Sequence, residues 1–155
     1  MATIGVKAPV FALPNQSGEI ISLDDYLGKP LVIFSFPQAG TPDCTTQACQ
    51  YRDEYAGFQA VDTNIVGISA SSVRALKAWH SKHNFPFDLL SDDDHKVLEA
   101  YGAWGHNIIG ILELPFAKRS YWVLDANGII RAQEFNVDPK KSIEASLQAV
   151  KKLTS

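Results

Sequence analysis

Cysteine is scarce in this chain. Only Cys44 and Cys49 occur in 155 residues, so no multi-bridge framework exists, and a chain of this length buries an adequate core without one. Basic tracts are missing too. The formal net charge is −3, which argues against nucleic acid and anionic membrane as main partners. No apolar run approaches the ~20 residues of a membrane span. The opening MATIGVKAPVFALPNQ has neither the basic nor the apolar region of an export signal. The expected compartment is therefore the cytoplasm, where thiols are normally kept reduced. Repeats, low-complexity tracts and linkers are also lacking, so residues 1–155 read as a single domain.

What is present alternates between extended and helical patterns. VFALPNQSGEIISLDDYLGK reads as two short extended pieces around the turn Asn15-Gln16-Ser17-Gly18. PLVIFSF, 30–36, is a continuous apolar run of the kind buried on both faces of a sheet, ended by Pro37. From 42 to about 60 the pattern is helical, with Thr41 as N-cap, Pro42 at the first position, and Ala48, Tyr51, Tyr55 and Phe58 toward the core. NIVGIS is a second buried strand, and 72–83 is an amphipathic helix. FPFDLLSDDDHKVLEAYGA gives an extended piece, then a helix capped by Ser91 or Asp92. Two strand-like runs flank the turn Asp125-Ala126-Asn127-Gly128, and a closing helix starts with Asp138 as cap and Pro139 in its first turn. The expected architecture is α/β, a central mixed sheet flanked by helices with an N-terminal β-hairpin.

The cysteines fall in FPQAGTPDCTTQACQYRDEY. Cys44 lies in the first turn of its helix, directly after a buried strand. Backbone N–H groups there lack helical partners and the helix dipole is positive, so a thiolate is favoured. That end of a strand is also where ligand sites collect in α/β folds. Four readings are open. Both residues could be small core fillers. They could be zinc ligands, for which no second ligand pair is obvious, with His80 and His83, three apart on a helix, the residues able to approach a metal. They could form a staple, or react with each other. Residues five apart on a helix have Cα atoms roughly 8–9 Å apart, beyond the ~7 Å limit of a disulfide. A bond between them requires the helix over about 41–52 to unwind.

These residues resemble the active-site segment of peroxiredoxins, specifically the bacterioferritin comigratory protein or peroxiredoxin Q group. The Pro-x-x-x-Thr-x-x-Cys pattern falls on Pro37, Thr41 and Cys44, and the group's second thiol on Cys49. FPFDLLSDDDHKVLEAYGAWG is similar to the family's middle section, and KRSYWVLDANGIIRAQ to the segment with its active-site arginine, here Arg119. The resemblance implies a thioredoxin-like fold and thiol-dependent reduction of hydrogen peroxide or organic hydroperoxides. Cys44 would become a sulfenic acid and Cys49 would close a disulfide. Arg119 would stabilise the negative charge. Thr41 would place its hydroxyl on the peroxide and Pro37 would shield the thiolate. A thioredoxin-type protein would act as reductant. No metal, flavin or haem is called for, and a monomer is expected. Two departures stand out: Asp43 replaces the glycine common before the reacting cysteine, and Gln38-Ala39 lack the group's charged pair.

Two rival readings use the same thiols. One is a protein thiol–disulfide oxidoreductase, which would normally carry Cys-x-x-Cys, absent here. The other is a non-enzymatic redox sensor, which would react once without turning over.

Overall fold

The computed structural model describes residues 3–107 and 113–154. Near the N-terminus, β1 (Ala12–Pro14) pairs antiparallel with β2 (Ile20–Ser22). Their turn forms where the sequence places it. Asn15 Oδ1 accepts the N–H groups of Ser17 and Glu19 at 2.9 and 3.0 Å, and Gly18 takes φ +80°, which glycine adopts without steric cost. A 3-10 turn, Leu23–Tyr26, follows instead of more extended chain, because Asp25 folds back to accept the Ser22 N–H at 2.8 Å.

The main sheet is built on β3 (Leu31–Ser35), every residue of which is buried. The helix expected over 42–60 is two helices, α1 (Pro42–Asp53) and α2 (Tyr55–Gln59). They part at Glu54, whose φ −96° and ψ 7° lie outside the helical well. The apolar face survives the break: Ala48, Tyr51 and Phe58 are fully buried and Tyr55 half-buried. Next come β4 (Asn64–Ser69) and α3 (Val73–His83), whose cap Ser72 accepts the Ala75 N–H at 3.1 Å.

After β5 (Asp88–Ser91), α4 spans only Lys96–Ala100 and begins at His95, not at Ser91 or Asp92. Ser91 Oγ donates to the Ser71 carbonyl. Asp92 still serves the helix from a distance, its Oδ2 accepting the Leu98 N–H at 2.7 Å. The strands β6 (Trp104–Asn107) and β7 (Glu113–Ala117) form an antiparallel pair that the sequence pattern does not announce. Then β8 (Ser120–Leu124) and β9 (Ile130–Glu134) pair across the expected Asp125–Gly128 turn, held by Asp125 Oδ1 accepting from Asn127 and Ile129. The last helix, α5 (Ser142–Thr154), starts later than Pro139. Asp138 instead closes a turn, its carbonyl accepting the Lys141 and Ser142 N–H groups at 3.1 Å.

The five-stranded sheet runs β5-β4-β3-β8-β9, parallel across the first three and antiparallel across the rest. Alternate residues of β3 feed two cores. Val32 and Phe34 pack with Cys44, Tyr51, Trp79 and Val150, while Leu31 and Ile33 pack on the opposite face with Leu98, Tyr101 and Trp122. Sheet, layers and hairpin match the expected mixed α/β architecture. The parallel order puts the end of β3, and hence the start of α1, at the carboxyl edge of the sheet.

Candidate active site

The chain leaves the sheet at Pro37. The loop to α1 is pinned at two points: Ala39 N–H donates to Ser71 Oγ at 3.0 Å, and Thr41 Oγ1 donates to the Gln38 carbonyl at 2.9 Å. Gly40, at φ +85°, makes the bend between them. Thr41 occupies the N-cap position with extended backbone, but its hydroxyl makes no capping bond. Its proton is committed to Gln38, which leaves its lone pairs as acceptors.

Cys44 is the third residue of α1 and fully buried, so it is both a core residue and the start of a helix. Arg119 reaches it from the link into β8. One terminal nitrogen, Nη2, lies 3.3 Å from Cys44 Sγ, and the other, Nη1, donates to Gln47 Oε1 at 2.8 Å. The Arg119 carbonyl accepts the Val137 N–H at 2.8 Å, which fixes the backbone behind the guanidinium. The sulfur therefore faces a fixed cation and sits in the first turn of a helix, at the positive end of its dipole, and both stabilise negative charge. On the far side of Arg119 opens a cleft of about 380 Å³ lined by Pro37, Asp43, Phe116, Arg119, Val137 and Pro139. Asp43 is exposed on the wall of this cleft.

Cys49 lies on another side of α1, toward α3. Its Sγ is 3.8 Å from His83 Nδ1. Burial pushes the Cys49 thiol up, Arg52 opposes that shift and Asp53 adds to it. Both cysteines are free. With α1 intact between them, they stand at the roughly 8–9 Å helical spacing that forbids a bond. Further contacts hold the helix down. Trp79 Nε1 donates to Thr45 Oγ1 at 3.2 Å, and Arg52 Nη1 donates to the His83 carbonyl at 2.9 Å. The Tyr51 hydroxyl pairs with Ser146 Oγ at 3.0 Å, and its ring stacks on Phe34 at 4.6 Å.

His80 and His83 do not converge on a metal site. His80 Nε2 lies 3.1 Å from the Phe87 carbonyl while His83 turns to Cys49. The structure thus brings Pro37 and Arg119 to one cleft, holds the buried Cys44 sulfur against Arg119 behind it, and puts Cys49 on a different side of the same helix. It also adds two residues. Gln47 was discernible as the residue one helical turn beyond Cys44. His83 was not, because only the packing of α3 on α1 brings it near.

Residues 4–133 match the AhpC/TSA family. The chain belongs to that family. Within it, the chain is a peroxiredoxin of the Bcp or peroxiredoxin Q group and a thiol-dependent peroxidase. It is 36% identical to peroxiredoxin Bcp of Bacillus subtilis, over 97% of this chain and 96% of the relative. It is 37% identical to the chloroplastic peroxiredoxin Q of Sedum lineare, over 97% and 79%. In three dimensions this peroxiredoxin resembles peroxidoxin BcpB of Mycobacterium tuberculosis, with TM-score 0.89, 28% identity and full coverage of both chains. It also resembles the Xanthomonas campestris bacterioferritin comigratory protein, with TM-score 0.86, 25% identity and coverage of 94% and 92%. The thioredoxin-like fold expected of a peroxiredoxin is the fold found. No helix among the described residues is long and apolar enough to cross a membrane.

Proposed function

We propose that this peroxiredoxin reduces hydrogen peroxide and organic hydroperoxides through Cys44 and Cys49. The observation that carries the reading is the 3.3 Å approach of Arg119 to the buried Cys44 sulfur at a helix start. The Cys44 thiolate attacks one peroxide oxygen and the O–O bond breaks. The leaving oxygen departs as water or an alcohol after taking up a proton, and Cys44 becomes a sulfenic acid. Arg119 and the first-turn N–H groups stabilise the charge that builds on the leaving oxygen. Thr41 offers its acceptor lone pairs to the peroxide proton, and Pro37 walls off water. Phe116, Val137 and Pro139 give the cleft an apolar side that suits an alkyl group. Alkyl peroxide reduction is also described for the Xanthomonas campestris neighbour.

Cys49 then attacks the Cys44 sulfenic acid and water is released. The resulting disulfide is opened by a dithiol protein of the thioredoxin type, in a reducing compartment such as the cytoplasm. The working unit is a monomer. The test is peroxide consumption with a thioredoxin recycling system. Wild type turns over, Cys44→Ser is inactive, and Cys49→Ser consumes about one equivalent and stops at the sulfenic acid. Peroxide consumption by Cys44→Ser at the wild-type rate would overturn the assignment. A single stoichiometric reaction of wild type would favour the sensor reading, and reduction of protein disulfides without peroxide turnover the oxidoreductase reading.

A further inference from the structure

We propose that His83 is the general base for the second thiol, taking the Cys49 proton as the disulfide forms. The inference rests on the Cys44–Cys49 chemistry above and deepens it. Its ground is the direct approach of His83 Nδ1 to Cys49 Sγ, 3.8 Å, made across two helices by residues 34 positions apart. The imidazole is held in place. Its ring stacks on Phe85 at 5.4 Å and meets Trp79 edge-on at 6.4 Å, while its own carbonyl is gripped by Arg52. It also lines an open cleft of about 410 Å³ between α1 and α3, shared with Pro42, Thr45 and Lys82, which gives its proton a route to water.

A base is needed here because burial raises the Cys49 thiol and so makes its thiolate scarce near neutrality. His83 is suited to the task because burial, Lys82 and Arg52 all lower it, which keeps the ring neutral and able to accept. The charged and titratable groups around the pair are Arg52 and Asp53 from α1, and Lys82 and His80 from α3. In the step itself Nδ1 takes the thiol proton. The Cys49 sulfur attacks the Cys44 sulfenic sulfur, the S–O bond breaks and the S–S bond forms. The hydroxide leaves as water with a proton drawn from solvent, and the imidazolium releases its own proton to water through the open cleft. Cys49 supplies the electron pair, so no further oxidant is required.

The experiment is a single turnover with one equivalent of hydrogen peroxide, acid-quenched and alkylated, with sulfenic acid and disulfide counted by mass spectrometry between about pH 5 and 10. In wild type, disulfide formation levels off above the histidine range. In His83→Gln it is slower near neutrality by roughly a hundredfold, and it climbs with pH until it meets wild type where the thiol ionises by itself. Equal rates and profiles would overturn the proposal. A faster His83→Gln would also overturn it, making His83 a mere tether on α1. Sulfenic acid at Cys44 appears in the same samples, so a misfolded variant reveals itself by failing earlier, and His83→Asn then replaces it. A wild type that forms no Cys44–Cys49 disulfide would instead sink the underlying reading, and this proposal with it.

Discussion

Arg119 holds Cys44 and Gln47 at once: one terminal nitrogen stands 3.3 Å from the sulfur and the other 2.8 Å from the amide oxygen one helical turn on. Two sites on α1 thereby set the plane of the guanidinium. Replacing Arg119 with Met removes the cation while keeping much of the stem. Peroxide reduction should slow by roughly a hundredfold or more, including at alkaline pH where every cysteine is ionised. Rate against pH checks this. A variant that merges with wild type at high pH would confine Arg119 to promoting ionisation.

Gln47 should separate activity from stability. Its Oε1 serves Arg119, but its buried Nε2 has no hydrogen-bond partner among the described residues, a cost to the fold. Gln47→Leu loses the bond that aims the guanidinium and also removes the orphaned group. Peroxide reduction should drop by about tenfold, while thermal stability holds or rises. Loss of both together would mean that Gln47 is only a packing element.

Oxidation should open α1 only part of the way. The stretch 42–50 is held by side-chain contacts: Arg119 to Gln47 at 2.8 Å and Cys44 at 3.3 Å, Trp79 to Thr45 at 3.2 Å and His83 to Cys49 at 3.8 Å. Tyr51 is the large anchor, its ring stacked on Phe34 and its hydroxyl paired with Ser146. Hydrogen exchange of the disulfide form should show lost protection from Cys44 to the start of the Tyr51 turn. The strands Leu31–Ser35 and Asn64–Ser69 should be unchanged. Unaltered protection of 44–50 in a verified disulfide would show that the helix does not have to unwind.

Gly67 lies under the same anchor. A Cβ there would meet Phe34 Cζ and Leu89 Cδ2 at 2.8 Å, and Phe34 carries Tyr51. Gly67→Ala should cost roughly 1–3 kcal/mol by overpacking, several degrees of Tm, read by calorimetry. It should also raise exchange at the Tyr51 end of α1. A Tm equal to wild type would show that the aromatic stack yields freely.

Much of this was legible in the chain because the signals are local. Buried β3 and β4 are unbroken apolar runs, and the turns at Asn15 and Asp125 are made by side chains that accept their own neighbours' N–H groups. Thr41, Pro42 and the sheet edge place Cys44 with the same economy. What escaped depends on contacts distant in sequence. The break at Glu54 leaves the apolar spacing intact, so periodicity cannot see it. The start of α4 at His95 follows from Asp92 reaching forward to Leu98, not from an adjacent cap. His83 lies 34 residues from Cys49 and carries no motif.

The bond from Trp79 to Thr45 also makes the protein its own optical gauge. Of three tryptophans in the chain, Trp122 sits in the opposite core and Trp104 packs against His95, both away from α1. Trp79 alone has its indole N–H tied to the first turns of that helix, between Phe36 and Phe85. When the helix lets go, this one indole loses its acceptor and meets water, so the intrinsic emission of unlabelled protein should report the redox state in real time.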